Sequence, residues 1–131
     1  MSRTTLPLDG EWEIADSVEP DQIPASFDRK VPVPGLASLA SPPFPDAGRY
    51  DSIEYIEVQM RRGLWQGEQD VEPPGIPRQE RNYFWYRRTF RLGEKRERAI
   101  LKIGKAQFGM AVWLNGQKVG EHPSCFSAGY F

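Results

Sequence analysis

The side chains that could do acid, base or nucleophilic chemistry are few in this sequence, and they are scattered. Carboxylates gather at Glu54, Glu57, Glu68, Asp70 and Glu72. Cleaving a glycosidic bond takes two carboxyl groups held across one bond, and this spacing selects no such pair. Solvated surface is the plain reading of each. Ser124 stands two residues from His122, the one histidine, with no third group to orient a nucleophile and its base. Cys125 is the one cysteine. It can form neither an internal disulfide nor a multi-cysteine metal site, and it reads as a small buried or half-buried thiol rather than a nucleophile. A single histidine excludes a multi-histidine metal cluster. The chain has no glycine-rich phosphate loop and no Gly-x-Ser-x-Gly. No catalytic residue, metal or cofactor is therefore expected within these residues.

The elements that would position any site are short strands. At 131 residues the chain is one domain or a piece of one. Twelve Gly and twelve Pro, without a short repeat, point to many turns. Seventeen basic and eighteen acidic side chains leave a net charge of −1. That balance gives no electrostatic reason to expect nucleic acid or a membrane as partner. Basic pairs such as Arg87-Arg88 and Lys95-Arg96 have acids nearby and read as solvated faces or turns. The opening residues contain no apolar h-region, and no run reaches transmembrane length. With Met1 as the native start, the expectation is a cytoplasmic protein.

Period-two alternation marks the strands. In "LDGEWEI" Trp12 and Ile14 share a face. Residues 30–46 are dense in proline and cannot be a central strand, so an extended surface segment is expected. Residues 50–65 fit a strand or a helix equally, and 66–80 read as a polar loop; together 37–80 form a long Pro-rich and polar region. In "NYFWYRRTFRL" (82–92), Phe84, Tyr86, Arg88, Phe90 and Leu92 form the inward face. Arg88 is the anomaly there. Snorkelling or a local ion pair is the plain reading, and contact with a ligand or another domain the alternative. "AILKI" (99–103) is a further strand. In 109–121 Asn115-Gly116 supplies the two positive-φ residues of a type I′ turn, and Val119 is expected to face the core. Strands near 85–92, 99–103, 109–114 and 117–121, with no helix between them, predict an antiparallel meander and an all-β sandwich or barrel.

"LDGEWEI", "VPVPG", "NYFWYRRTFRL", "AILKIGKAQFGMAVWLNGQKVGEH" and "GYF" occur in that order. This set resembles the N-terminal domain of glycoside hydrolase family 2, the family of β-galactosidase, β-glucuronidase and β-mannosidase. The resemblance spans the chain apart from 37–80. It implies a jelly-roll β-sandwich of the galactose-binding-like kind, the sugar-binding domain, over residues 1–131. In that family an immunoglobulin-like domain and a TIM barrel follow, and the barrel carries the two catalytic glutamates. The acid/base glutamate follows an asparagine. Here Asn82 and Asn115 precede Tyr83 and Gly116, so that dipeptide is absent. The resemblance also implies further strands after "GYF" that close the sandwich against "LDGEWEI". The domain thus reads as incomplete at its C-terminus, with the inner surface near Trp12 and Ile14 open.

Two regions could reach a sugar on this resemblance. One is Glu80-Arg81-Asn82, where the β-galactosidase branch carries Glu-Asn-Pro. The other is the loop after the hairpin, where His122 matches a family histidine and Pro123, Ser124 and Cys125 depart from the pattern. His122 and Ser124 are the candidate contacts there. A structural turn is the competing reading of both regions. An independent carbohydrate-binding module would instead need an aromatic platform, for which Tyr50, Trp65 and Trp85 are candidates. A structural interaction domain without a ligand site is the third reading. The carbohydrate partner is expected to be a β-glycoside bound through the parent enzyme.

Overall fold

The computed structural model of the chain describes residues 4–44, 53–64 and 83–131. Their secondary structure is mostly strands in antiparallel sheets, with little helix, so the protein is all-β. The chain divides into two compact units, Met1–Phe90 and Arg91–Phe131.

The first unit holds a three-stranded sheet. Its strands are β1 (Gly10–Ser17), β2 (Arg29–Val33) and β3 (Tyr83–Arg87), in the order β2-β1-β3. Ile14 stands opposite Arg29 on one side and Tyr86 on the other. Residues directly opposite in an antiparallel pair share a face. One face therefore carries Trp12, Ile14, Val31, Val33, Phe84 and Tyr86, the alternation read from the sequence. Ile14 and Val31 are fully buried there, and Trp12, Val33 and Phe84 pack around them. The Trp12 indole N–H donates to the Leu8 carbonyl at 2.7 Å, so its polar end is satisfied at the edge of the core.

The proline-dense stretch makes two contributions. Its first part is β2, an edge strand. Lys30 exchanges backbone hydrogen bonds with Ser41, at 2.9 and 2.8 Å, on the side away from β1. Backbone groups alternate in direction, so the nitrogen of Pro32 faces that same outer side. Its missing N–H leaves the ladder with β1 intact. The remainder was expected to be a surface segment, and the structure corrects this. A single 3-10 turn (Ala37–Leu39) folds the chain back, and Ala37, Ala40 and Phe44 complete the buried cluster. The Phe44 ring meets Phe84 edge-on at 5.2 Å. Small alanines permit the close approach, and proline obscured their spacing.

Of the stretch 50–65, residues 50–52 and 65 lie outside the described residues, and within 53–64 the helix α1 spans Ile53–Arg61. It closes with Leu64 N–H on the Gln59 carbonyl and Gly63 N–H on that of Met60, the double closure that satisfies carbonyls at a helix end. The expected opening near Trp12 and Ile14 is also corrected. Both edges of β1 are paired, and Ile14 is 0% exposed.

In the second unit β5 (Met110–Leu114) and β6 (Gln117–His122) form the expected hairpin. Asn115 and Gly116 have φ of 51° and 82°, the left-handed pair a type I′ turn requires. Gly116→Val should lower stability by about 1 kcal/mol or more, since a β-branched residue resists that φ; chemical denaturation would read the loss. The register shifts between Val112 and Trp113, so that Trp113 faces Lys118 and Val112 faces Gly120. Val119 is the extra residue of this bulge. It is 49% exposed, against the expectation that it faces the core.

The expected meander is likewise absent among the described residues. Strand β3 pairs with β1, and β4 (Lys102–Ile103) pairs with β7 (Gly129–Tyr130). Leu101 and Phe131 extend the second ladder by exchanging backbone hydrogen bonds at 2.9 and 3.0 Å. The residues from Arg88 to Leu101 lie in no strand, although their composition favours one. Strand propensity is realised only where a neighbour is available to pair. No helix among the described residues is long and apolar enough to cross a membrane.

Candidate functional site

The described residues bearing polar chemistry fall on two surfaces, one in each unit. In the first unit it is the sheet face opposite the core. Glu11, Glu13 and Ala15 of β1 alternate onto it, with Lys30 of β2 and Tyr83, Trp85 and Arg87 of β3. Glu13 is the centre of a three-strand ladder. Arg87 donates to it twice, from Nε at 2.7 Å and from Nη2 at 3.1 Å, and Lys30 Nζ approaches at 3.8 Å. The Arg87 guanidinium also lies over the Phe27 ring, 4.0 Å from its centroid. It is thus held on two sides, by a carboxylate fork and an aromatic face.

This arrangement sets the charge of Glu13. The hydrogen bonds from Arg87 hold its carboxyl below the usual carboxylate range, partly opposed by desolvation, with the charges of Arg87 and Lys30 adding to the lowering. A lowered folded-state value contributes stability that is complete above the unfolded carboxylate range and is lost as pH falls through the folded value. Glu13→Gln should therefore cost about 0.5–1 kcal/mol at neutral pH, the range for a well-formed but solvent-exposed pair. It should also flatten the acid limb of the stability–pH curve. Unfolding midpoints of both forms from acid to neutral pH would check this. A parallel offset at every pH would contradict it.

Trp85, a platform candidate, lies on this face opposite Ala15 and is half-buried. Tyr83 beside it is 42% exposed. Glu80, Arg81, Asn82, Tyr50 and Trp65 lie outside the described residues. So do Glu68, Asp70 and Glu72. Glu57 is on α1, where its carboxylate pairs with Arg61 one turn on, at 3.4 Å. The side chain of Glu54 also lies outside what is described, so Glu57 is the one member of that carboxylate group whose side chain is placed.

Arg88 projects to the core side of the sheet. Its Nη1 donates to the carbonyls of Asp9, at 3.3 Å, and Glu11, at 3.2 Å. Its polar head is thus met locally, by backbone carbonyls in place of an ion pair. The guanidinium caps the backbone around Gly10, whose φ is +130°.

In the second unit the polar surface is the loop that follows β6. His122 is half-buried, and its Nε2 lies 3.1 Å from both the carbonyl and the Oγ of Ser127. Nε2 can donate to the carbonyl when it carries the proton, and accept from the hydroxyl when it does not. Ser124 Oγ accepts the backbone N–H of Phe126 at 3.2 Å. Both candidate sugar contacts thus also fasten their own loop, the structural-turn role weighed against them. On the hairpin itself Lys118 Nζ lies over the Trp113 ring at 5.2 Å and pairs with Glu121. Residues three apart on a regular strand point to opposite faces. The bulge at Val119 brings Lys118 and Glu121 to one face.

Sequence reading missed Phe27 and the Glu13 ladder. The signal available was the run of acids on β1 opposite the bases of β3, but the register joining residues 74 apart is not local information. Among the described residues, no group of three or more His, Cys, Asp or Glu could hold a metal ion.

No family model matches the chain, and no solved structure matches it significantly. It is similar to a β-galactosidase of Lactobacillus delbrueckii subsp. bulgaricus, at 30% identity over 135 aligned residues. The match takes in 95% of this chain and 12% of the length of that enzyme.

Proposed function

We propose that this chain is a non-catalytic sugar-binding-type domain of a glycoside hydrolase of family 2. The single observation carrying the reading is that nearly the whole chain aligns with a small share of a β-galactosidase. A stretch of that proportion is the size of one accessory domain in a large enzyme. The all-β architecture agrees with it. On this reading the strands belong to a jelly-roll sandwich of the galactose-binding-like type. The parent enzyme hydrolyses the O-glycosidic bond of a β-glycoside with retention, by the double displacement of two carboxyl groups. Those groups reside in a TIM barrel, reached through an immunoglobulin-like domain. The chain's own part is to brace that barrel and to offer loops to the rim of its site. Glu80-Arg81-Asn82 and the His122–Ser127 loop are the loops concerned.

The reading is tested by the coding sequence beyond Phe131. It should continue into a βα-patterned region holding an Asn-Glu dipeptide. A stop codon, or an unrelated domain, would overturn it.

A further inference from the structure

The outer edge of β2 carries its own stop signal. Lys30 and Ser41 exchange both backbone hydrogen bonds, so the next hydrogen-bonded pair of that ladder would be Pro32 with Leu39. Pro32 has no N–H to give. The returning segment accordingly lies beside Pro32 as the 3-10 turn Ala37–Leu39 and not as a strand. Gly35 permits the reversal that leads into it, since a Cβ there would run into the Pro32 carbonyl. The interrupted pairing leaves a cleft of about 180 Å3, lined by Glu11, Lys30, Val31, Pro32, Leu39 and Ser41. All six belong to the first unit and stand together at one corner of its sheet.

The cleft combines aliphatic surface with a polar rim. Pro32 and Leu39, the latter 56% exposed, supply C–H surface. Glu11 stands opposite Pro32 and shares its face. Among the described residues the Glu11 carboxylate has no hydrogen bond or ion pair. Lys30 lies on the same face, two residues before Pro32, with its Nζ 3.8 Å from Glu13. An ammonium has three donors, so this one loose contact leaves it able to serve a ligand. Ser41 adds a hydroxyl. A charged acceptor, a cationic donor and a hydroxyl thus border a small apolar surface. That combination matches a pyranose ring, whose C–H groups form an apolar patch and whose hydroxyls both donate and accept. Sites for drug-sized ligands run to about 300–1,000 Å3. This cleft is smaller, the scale of a single ring.

We propose that this cleft is a subsite for one pyranose ring, separate from the loops assigned to the rim of the parent enzyme's site. Glu11 accepts from neighbouring hydroxyls, in the charge-assisted bonds a carboxylate makes. Lys30 and Ser41 donate to ring substituents, and the C–H face rests on Pro32 and Leu39. An open cleft of this size takes only part of the ring out of water, so binding is weak, with Kd on the order of 1 mM. The class of ligand rests on the proposed function, whereas the cleft and its chemistry do not. The two fail separately: the coding sequence beyond Phe131 bears on the first, and binding by this chain on the second.

The test is an amide chemical-shift titration of the 131-residue protein with methyl β-galactoside and, separately, methyl β-glucoside. At least one sugar should give saturable shifts centred on the amides of Glu11, Lys30, Val31, Leu39 and Ser41. Glu11→Gln should weaken binding by about fivefold or more, through loss of the charged acceptor. Leu39→Ser should weaken it by a similar factor, through loss of apolar contact. Both side chains are exposed, so neither change removes a core contact. Glu97→Gln, on the exposed run of the second unit, should bind as the parent chain does. Glycine, a zwitterion that could pair with Glu11 and Lys30 by charge alone, should bind more weakly than the sugar. No saturable shift from either sugar up to about 100 mM, a hundredfold above the expected Kd, would overturn the inference. So would shifts confined to residues 122–127, an affinity that either Glu11→Gln or Leu39→Ser leaves unchanged, or tighter binding of glycine.

Discussion

Replacing Ile14 by alanine should cost about 2–5 kcal/mol, the range for removing a large aliphatic side chain from a closed core. Ile14 is 0% exposed, at the centre of the middle strand. Val31, Ala37, Ala40 and Phe44 are the other buried apolar residues among those described, and Trp12, Val33 and Phe84 pack against the cluster. The alanines and the 3-10 turn are fixed by backbone and have little freedom to collapse into the space left. Small domains are stable by only about 5–15 kcal/mol, so the substitution removes a large share. Urea unfolding should show the midpoint fall steeply. Val119→Ala is the internal control: its side chain stands outward on the hairpin bulge, and its loss should stay within about 0.5 kcal/mol. Equal effects at the two positions would mean that the core does not lie where the sheet places it.

Gly10→Val should also be damaging, at about 1–3 kcal/mol. Two costs combine there. The first is conformational: φ at Gly10 is +130°, a region closed to β-branched residues. The second is steric. A Cβ on Gly10 would lie 3.0 Å from Nη1 of Arg88, the atom that donates to the carbonyls on either side. The end of a long side chain can retreat, so the conformational cost is the larger part. Arg88→Met separates the two. It should lower the stability of the parent by about 1 kcal/mol, through the lost carbonyl contacts, and should make Gly10→Ala less costly in its presence. A double-mutant cycle with no coupling between the positions would contradict the cap.

These two sites show which parts of the fold the sequence makes legible. Alternation alone puts Ile14 on one face with Trp12 and turns Phe84 inward, and Asn115-Gly116 marks the hairpin turn, because these signals are local. The Pro-rich stretch concealed four core residues, Val31, Ala37, Ala40 and Phe44, since proline suppresses the periodicity by which a buried face is recognised. Residues 88–92, 99 and 100 read as strands by composition but lie in no described strand. Residues 101–103 instead find partners at 129–131, a long-range choice that no local pattern encodes. The bulge that turns Val119 outward follows from the register of two strands together. The candidate site divides in the same way. His122 was found by its resemblance to a family residue, whereas its tie to Ser127 depends on the course of the loop. The Glu13–Arg87–Phe27 arrangement joins three separate segments and appears only once they are assembled.

The central proposal is that this chain is a non-catalytic domain of a family 2 glycoside hydrolase, and the most direct measurement is hydrolysis by the purified 131-residue protein. Aryl β-galactoside, β-glucuronide and β-mannoside are the substrates to offer it. The account predicts release of aryl alcohol at the rate of a buffer blank for all three, because the sequence lacks the Asn-Glu dipeptide of the family's acid/base. Turnover above that blank, abolished by substituting one of the chain's own carboxylates such as Glu57, would contradict it.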